Sequence, residues 1–255
     1  MGILNLTPDS FYQESRINTD TAILKKASQM LKQGATILDI GGYSTRPNAD
    51  DISIEEEIKR VVNPISTIKK EFPDAIISID TFRSKVAKEA IHAGADLIND
   101  VSGGNLDSQM FEMVAKLKVP YILMHMRGTP QTMKTLTHYD NIIFEMMTYF
   151  EKRINLLKSF GAEEIILDVG FGFAKTIEQN YFLLKNMAAF QQLELPILAG
   201  LSRKSMIYKH LKIPVSEALN GTTVLNTVAV QNGAQILRVH DVKEAMQTIK
   251  LLGDL

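Results

Sequence analysis

Four times along the chain, a stretch with apolar residues at helical spacing stops at Gly-Ala, and a short apolar run follows that ends on a polar residue. Gly34-Ala35 leads into Thr36-Ile37-Leu38-Asp39, and Gly94-Ala95 into Asp96-Leu97-Ile98-Asn99-Asp100. Gly161-Ala162 leads into Glu163-Glu164-Ile165-Ile166-Leu167-Asp168, and Gly233-Ala234 into Gln235-Ile236-Leu237-Arg238-Val239-His240. Glycine is the usual left-handed residue at a helix C-terminus. Continuous apolar runs are the mark of parallel strands covered on both faces. Four further runs have the same character: residues 2–6, residues 75–79 before Asp80, residues 121–124 before His125, and residues 196–199 before Gly200 and Ser202. Helical spacing is expected over 21–33, 53–72, 84–93, 108–117, 140–160, 179–190, 215–232 and 242–252. Ser53-Ile54-Glu55-Glu56 opens the second of these as a capping box, and Pro64 should kink it.

Eight strand–helix alternations in one chain predict a single-domain α/β fold over residues 1–255, a (β/α)8 TIM barrel. A doubly wound open sheet is the competing architecture. It would usually carry Gly-x-Gly-x-x-Gly after the first strand, which is missing here.

In a barrel the chemistry sits where the strands end. Those ends carry Asn5, Asp39, Asp80, Asn99, His125, Asp168, Ser202, and Arg238 with His240. One polar residue at a strand end is ordinary cap or turn chemistry; nearly every strand ending so is not. Carboxylates and an amide around one mouth suit a small ligand rich in N–H donors. Arg238 and His240 after the last strand adjoin Asn5 after the first, a pattern that favours an anion, although Arg238 could instead pair with a core carboxylate. Ser202-Arg203-Lys204-Ser205 opens a helix whose backbone N–H groups, with Ser202, could take a carboxylate or phosphate. Lys204 is placed to donate to a ligand carbonyl, and Arg203 reads as a solvated surface charge. The loops Thr7-Pro8-Asp9-Ser10-Phe11-Tyr12 and Gly41-Gly42-Tyr43-Ser44-Thr45-Arg46-Pro47 are candidate lids. His125 reads as a hydrogen-bonded rim or core residue rather than a metal ligand, His138-Tyr139 as a surface pair opening a helix, and Met146, Met147 and Met187 as core filler.

Composition narrows the class. The 255 residues carry a formal net charge of −1, so no basic field points to nucleic acid. Cysteine is absent, which excludes disulfides and thiolate chemistry. No apolar run is long enough for a membrane span, and the first residues lack the pattern of a signal peptide. A cytoplasmic protein is expected.

Seven motifs stand in register: Asn5-Leu6-Thr7-Pro8-Asp9-Ser10-Phe11, Ser44-Thr45-Arg46-Pro47, Ile79-Asp80-Thr81, Ile98-Asn99-Asp100, Gly170-Phe171-Gly172-Phe173, Ser202-Arg203-Lys204-Ser205 and Arg238-Val239-His240-Asp241. Over almost its whole length the chain resembles the bacterial dihydropteroate synthases, the sulfonamide targets of folate synthesis. The resemblance implies condensation of 6-hydroxymethyl-7,8-dihydropterin pyrophosphate with 4-aminobenzoate along an SN1-like path, with Mg2+, in a cytoplasmic homodimer. It implies a pterin pocket of Asp80, Asn99, Asp168, Lys204, Arg238, Met124, Gly200 and Phe173. It places Asn5, Arg238 and His240 on the pyrophosphate and Asn5 on the metal, and Thr45, Arg46, Pro47, Phe173 and Ser202 around the aminobenzoate. Asn5, Lys204, Arg238 and His240 would carry the catalysis. Two departures stand out. Val169 replaces the family's proline after Asp168 and is expected to loosen that turn. Tyr12-Gln13-Glu14 replaces the usual acidic and glycine residues of the first loop, so Glu14 would have to serve in the contact between lids. Relatives also carry a segment before strand one. A pterin-binding methyltransferase would share Asp80, Asn99 and Asp168 but has less use for the Arg238 and Ser202 motifs. A silent pterin-binding protein would bind the pterin without turnover.

Overall fold

The computed structural model describes residues 1–6, 16–44 and 51–254. Eight parallel strands form one sheet in sequence order: β1 Gly2–Asn5, β2 Ile37–Gly41, β3 Ile76–Asp80, β4 Leu97–Asp100, β5 Tyr121–Met124, β6 Ile165–Asp168, β7 Ile197–Ala199 and β8 Ile236–Leu237. The helices between and after them are α1 Arg16–Lys32, α2 Ile54–Glu71, α3 Ser84–His92, α4 Met110–Leu117, α5 Ile142–Phe160, α6 Ile177–Lys185, α7 Ser205–Leu211, α8 Leu219–Gln231 and α9 Val242–Gly253. This is an α/β, TIM-like arrangement. Beyond the eight strands, Gly2 bridges Val239 in parallel. Ile3 N donates to Val239 O at 2.9 Å, and Val239 N donates to Met1 O at 2.9 Å.

The Gly-Ala signal marks the same turn each time. Gly34, Gly94, Gly161 and Gly233 all have φ between 94° and 112°. The following alanine N–H closes onto the carbonyl five residues back: Ala35 to Met30, Ala95 to Ala90, Ala162 to Leu157 and Ala234 to Ala229, at 2.9–3.1 Å. These 6→1 bonds satisfy the last helix carbonyls and turn the chain into the next strand.

Several boundaries differ from the spacing. The segment 179–190 is α6 followed by the 3-10 turn Met187–Leu193, and 215–232 is the 3-10 turn Val215–Glu217 followed by α8. Ser53 accepts from Glu56 N at 3.1 Å as the cap of α2, and α2 runs unbroken through the buried Pro64. The complete capping box lies instead at α6, between Thr176 and Gln179. His138 is exposed, but its helix starts only at Ile142, capped by Asn141.

The core is layered. Most apolar side chains fill the space between sheet and helices. A separate cluster of Leu97, Ile122 and Leu198, flanked by Met1, Ile37, Ile166 and Ile236, lies on the other face of the strands. Two residues further along those strands stand Asn99, Met124, Gly200, Asp39, Asp168 and Arg238. Strand side chains repeat their face every second residue, so the apolar cluster is the floor beneath a polar layer. Among the described residues no helix is long and apolar enough to cross a membrane.

Candidate active site

Pairing puts Asn5, Gly41, Asp80 and Asn99 side by side on four adjacent strands, and Met124 beside Asp168 on two more. Gly41 has no side chain, and a Cβ there would stand 3.7 Å from Asp80 Oδ2 and 3.8 Å from Asn5 Oδ1. Asn5 and Asp80 therefore face a shared space. The Asn5 carboxamide makes no hydrogen bond among the described residues.

Arg238 reaches across this mouth. Its Nε donates to Asp39 Oδ2 at 2.6 Å and its Nη2 to Asp80 Oδ2 at 2.6 Å. Asp39 is fully buried and also accepts from Asn99 Nδ2 at 3.2 Å. Burial opposes a charge on Arg238, but the two carboxylates outweigh it and raise its pKa. Burial dominates at Asp80; Arg238 opposes it and Asp39 adds to it, leaving the carboxyl pushed up to about 7. The pairing of Arg238 with core carboxylates, set aside in favour of an anion site, is thus what this structure contains. Asp39 belongs to the site although it was not among the expected ligand contacts. Its only signal was its place at the end of an apolar run; in the structure it lies within β2, two residues before the strand ends.

Asp168 lies across the mouth, 6% exposed. Its Oδ1 accepts from Gly170 N at 2.8 Å, which closes the turn after β6, and Val169 is buried in the outer core. Burial pushes the Asp168 carboxyl up, against Lys204 and the Gly170 N–H. Lys204 donates to Phe171 O and stands 5.0 Å from the centre of the Phe173 ring. Burial lowers the Lys204 ammonium to about 8, against the pull of Asp168. Gly200 lies beneath it; a Cβ there would be 3.8 Å from Lys204 Nζ. Met124 and Phe173 share a small apolar cluster with Val101, Met126, Met133 and Ala174. Apolar and charged side chains therefore stand next to one another in the mouth, Met124 beside Asp168 and Phe173 beside Lys204.

His240 and Ser202 form the third part. Ser202 Oγ lies 3.0 Å from His240 Nδ1 and accepts from His240 N at 3.1 Å. His240 thus turns to β7, while its neighbour Arg238 turns to β2 and β3. Arg203 is not the solvated charge expected. It grips Asp241 with two bonds of 2.9 Å and donates to Val215 O and Ser216 O at 3.1 and 3.0 Å, tying the loop after β7 to the chain after β8. His125 is buried, as expected, against Lys175. Thr45, Arg46 and Pro47, and the first-loop residues Asp9 and Glu14, lie outside the described residues. The rest of the expected site, from Asn5 to His240, shares one end of the sheet. Its donors and acceptors could take a flat, nitrogen-rich ring over an apolar floor, with an anion toward β8 and β1.

Similar proteins agree with that chemistry. A family model described as "Pterin binding enzyme" matches residues 1–240. The dihydropteroate synthase of Synechocystis sp. is 44% identical over 258 residues, covering 100% of this chain and 89% of that protein. The crystal structure of Yersinia pestis dihydropteroate synthase in a sulfonamide drug complex superposes with a TM-score of 0.93 at 39% identity, over 100% of this chain and 92% of that one. Xanthomonas albilineans dihydropteroate synthase with 4-aminobenzoic acid gives a TM-score of 0.92 at 35% identity, over 100% and 91%.

Proposed function

The chain belongs to the pterin-binding enzyme family, among the dihydropteroate synthases of folate synthesis, and from that premise we propose which of its residues carry the reaction. The reaction joins 6-hydroxymethyl-7,8-dihydropterin pyrophosphate to 4-aminobenzoate and releases pyrophosphate. The observation that carries the assignment is the half-charged, half-apolar mouth. Asp168, Asn99 and Asp80 offer oxygens above the apolar floor, and Lys204 offers a cation beside Asp168.

The pterin amino and ring N–H groups donate to Asp168, with Asn99 and Asp80 assisting, and Lys204 donates to the pterin carbonyl and ring nitrogen. Met124, Gly200 and Phe173 frame the ring. Asp80 gives up Arg238 for the pterin, and the freed guanidinium stacks on the ring face. With His240 and Asn5 it holds the departing pyrophosphate. The carbon–oxygen bond to pyrophosphate breaks first, and the aryl amine then attacks the pterin-stabilised cation. Catalysis is leaving-group stabilisation and positioning. Phe173 and Ser202 frame the aminobenzoate, and Thr45, Arg46 and Pro47 are assigned to the same subsite by their motif.

Among the described residues no three His, Asp or Glu side chains cluster as a metal cage. The Asn5 carboxamide oxygen fits Mg2+, which keeps several waters and takes further ligands from phosphate oxygens. When bound, Mg2+ would offset the charge building on the pyrophosphate. The reading includes a closed (β/α)8 barrel, supported by the bonds between residues 1–3 and 237–239, and one pterin-binding domain over 1–255. It also includes a cytoplasmic homodimer, whose dimeric part is supported by the exposed Phe182, Leu211 and Val224 on the neighbouring α6, α7 and α8.

The test is pyrophosphate release from the pterin pyrophosphate with Mg2+, with and without 4-aminobenzoate. Release that depends on aminobenzoate and drops at least 100-fold in Asp168→Ala and Lys204→Ala is expected. Tight pterin binding without release would overturn the reading.

A further inference from the structure

Behind the site lies a lysine that the chemistry above does not use. Lys175 is 8% exposed. Its Nζ stands 3.0 Å from His125 Nδ1, donates to Gly170 O at 3.0 Å and donates to Phe173 O at 3.0 Å. An ammonium has three N–H bonds, and here each has an acceptor. All three acceptors are neutral: two are backbone carbonyls, of Gly170 and of Phe173, and the third is a ring nitrogen outside the assigned subsites. One closes on the end of β5; the other two lie at either end of the turn that presents Phe173.

That turn has an unfavourable backbone. Gly170, Gly172 and Ala174 have φ of 67°, 83° and 49°, and alanine adopts the left-handed region at a cost. Gly170 is pressed against β5, where a Cβ would come within 2.2 Å of His125 O. The same residue donates to Asp168 Oδ1, and Lys204 donates to Phe171 O within the same turn. The turn is thus held by two lysines, Lys204 at Phe171 and Lys175 at Gly170 and Phe173.

We propose that Lys175 is a positioning residue for the condensation: by holding Gly170 and Phe173 against β5, it aims Asp168 at the pterin and Phe173 at the aminobenzoate. The proposal rests on the synthase reading. Burial lowers the Lys175 ammonium to about 7, against the attraction of Asp168. Burial thus penalises the charge, and the three acceptors around Nζ are what favour the ammonium over the neutral amine as pH falls below about 7. His125 is held neutral by burial and by Lys175 itself, which leaves its Nδ1 free to accept.

Lys175→Met keeps an unbranched side chain, one atom shorter, and removes all three donors. Steady-state turnover and calorimetric binding of the pterin pyrophosphate are measured side by side on the full chain. The expected result is a KM for 4-aminobenzoate raised about 10-fold, with kcat reduced by less than half that factor, and a pterin Kd weakened severalfold. Ala174→Gly added to Lys175→Met should restore part of the loss, because it relieves the strain that Lys175 offsets. A variant that melts earlier but keeps KM and Kd within twofold of the parent would overturn the proposal. So would a fall in kcat alone, which would report fewer folded molecules. If Lys175→Met does not accumulate, Lys175→Gln, with two donors left, serves the same comparison. Absence of turnover in the parent chain would count against the synthase reading, and the Kd comparison would still decide the role of Lys175.

Discussion

Arg238 is held by two carboxylates where a substrate anion would otherwise be its partner, and this makes charge balance the central issue at the residue scale. Asp39, Asp80 and Asp168 face Arg238 and Lys204 in one mouth, so a bound pterin exchanges hydrogen bonds rather than filling an uncharged hole. Lys204 sets a pH limit near 8, above the one that Lys175 sets near 7. The Lys204 ammonium is lowered to about 8. A lysine is cationic below its pKa, so the proposed donation to the pterin carbonyl would be intact below pH 8 and lost as pH rises through it. We expect kcat/KM for the pterin pyrophosphate to fall above about pH 8. In Lys204→Arg, which has a donor that does not titrate, this limb should be absent from whatever lower plateau remains. A profile of the parent chain that stays flat to pH 10 would remove Lys204 from pterin recognition.

At the scale of elements, the turn after β6 concentrates the constraints. Gly170 needs both a left-handed backbone and the absence of a side chain, because the carbonyl of His125 occupies the space of its Cβ. Gly170→Ala should therefore destabilise the fold by roughly 2–5 kcal/mol, the sum of a left-handed penalty and overpacking against backbone. Denaturant unfolding measures this directly; a loss below 1 kcal/mol would show that the turn can shift. By contrast, Val169 packs into the outer core, and the Gly170 N–H to Asp168 closes the turn without help from a proline. The element boundaries that sequence spacing missed are also local events. Both 179–190 and 215–232 pass from α-helix to 3-10 geometry or the reverse without a glycine or proline at the junction to mark it.

For the whole molecule, the arrangement rests on the apolar floor inside the sheet. Leu97, Ile122 and Leu198 are almost wholly buried there, directly under the polar layer. Leu198→Ala should cost roughly 2–5 kcal/mol, the range for opening a cavity in a packed core. It should also weaken pterin binding, because the layer above loses its support. Thermal unfolding and pterin Kd measured together test this, and a loss of stability with an unchanged Kd would separate the floor from the site.

The sequence alone determined the order of strands and helices, the four Gly-Ala turns and the residues at the strand ends. Each of these is written in local terms: apolar periodicity, a left-handed cap, or a polar residue where burial ends. The described residues of the seven motifs stand largely at one end of the sheet. Only the tertiary structure decided the pairings. Asp39 meets Arg238 across 199 positions of sequence, and Arg203 finds Asp241 across 38. Lys175 meets His125 across 50. No periodicity encodes such choices. They follow from strand register and sheet curvature, which bring charges from distant strands into one poorly solvated mouth and make each depend on the partners it finds there.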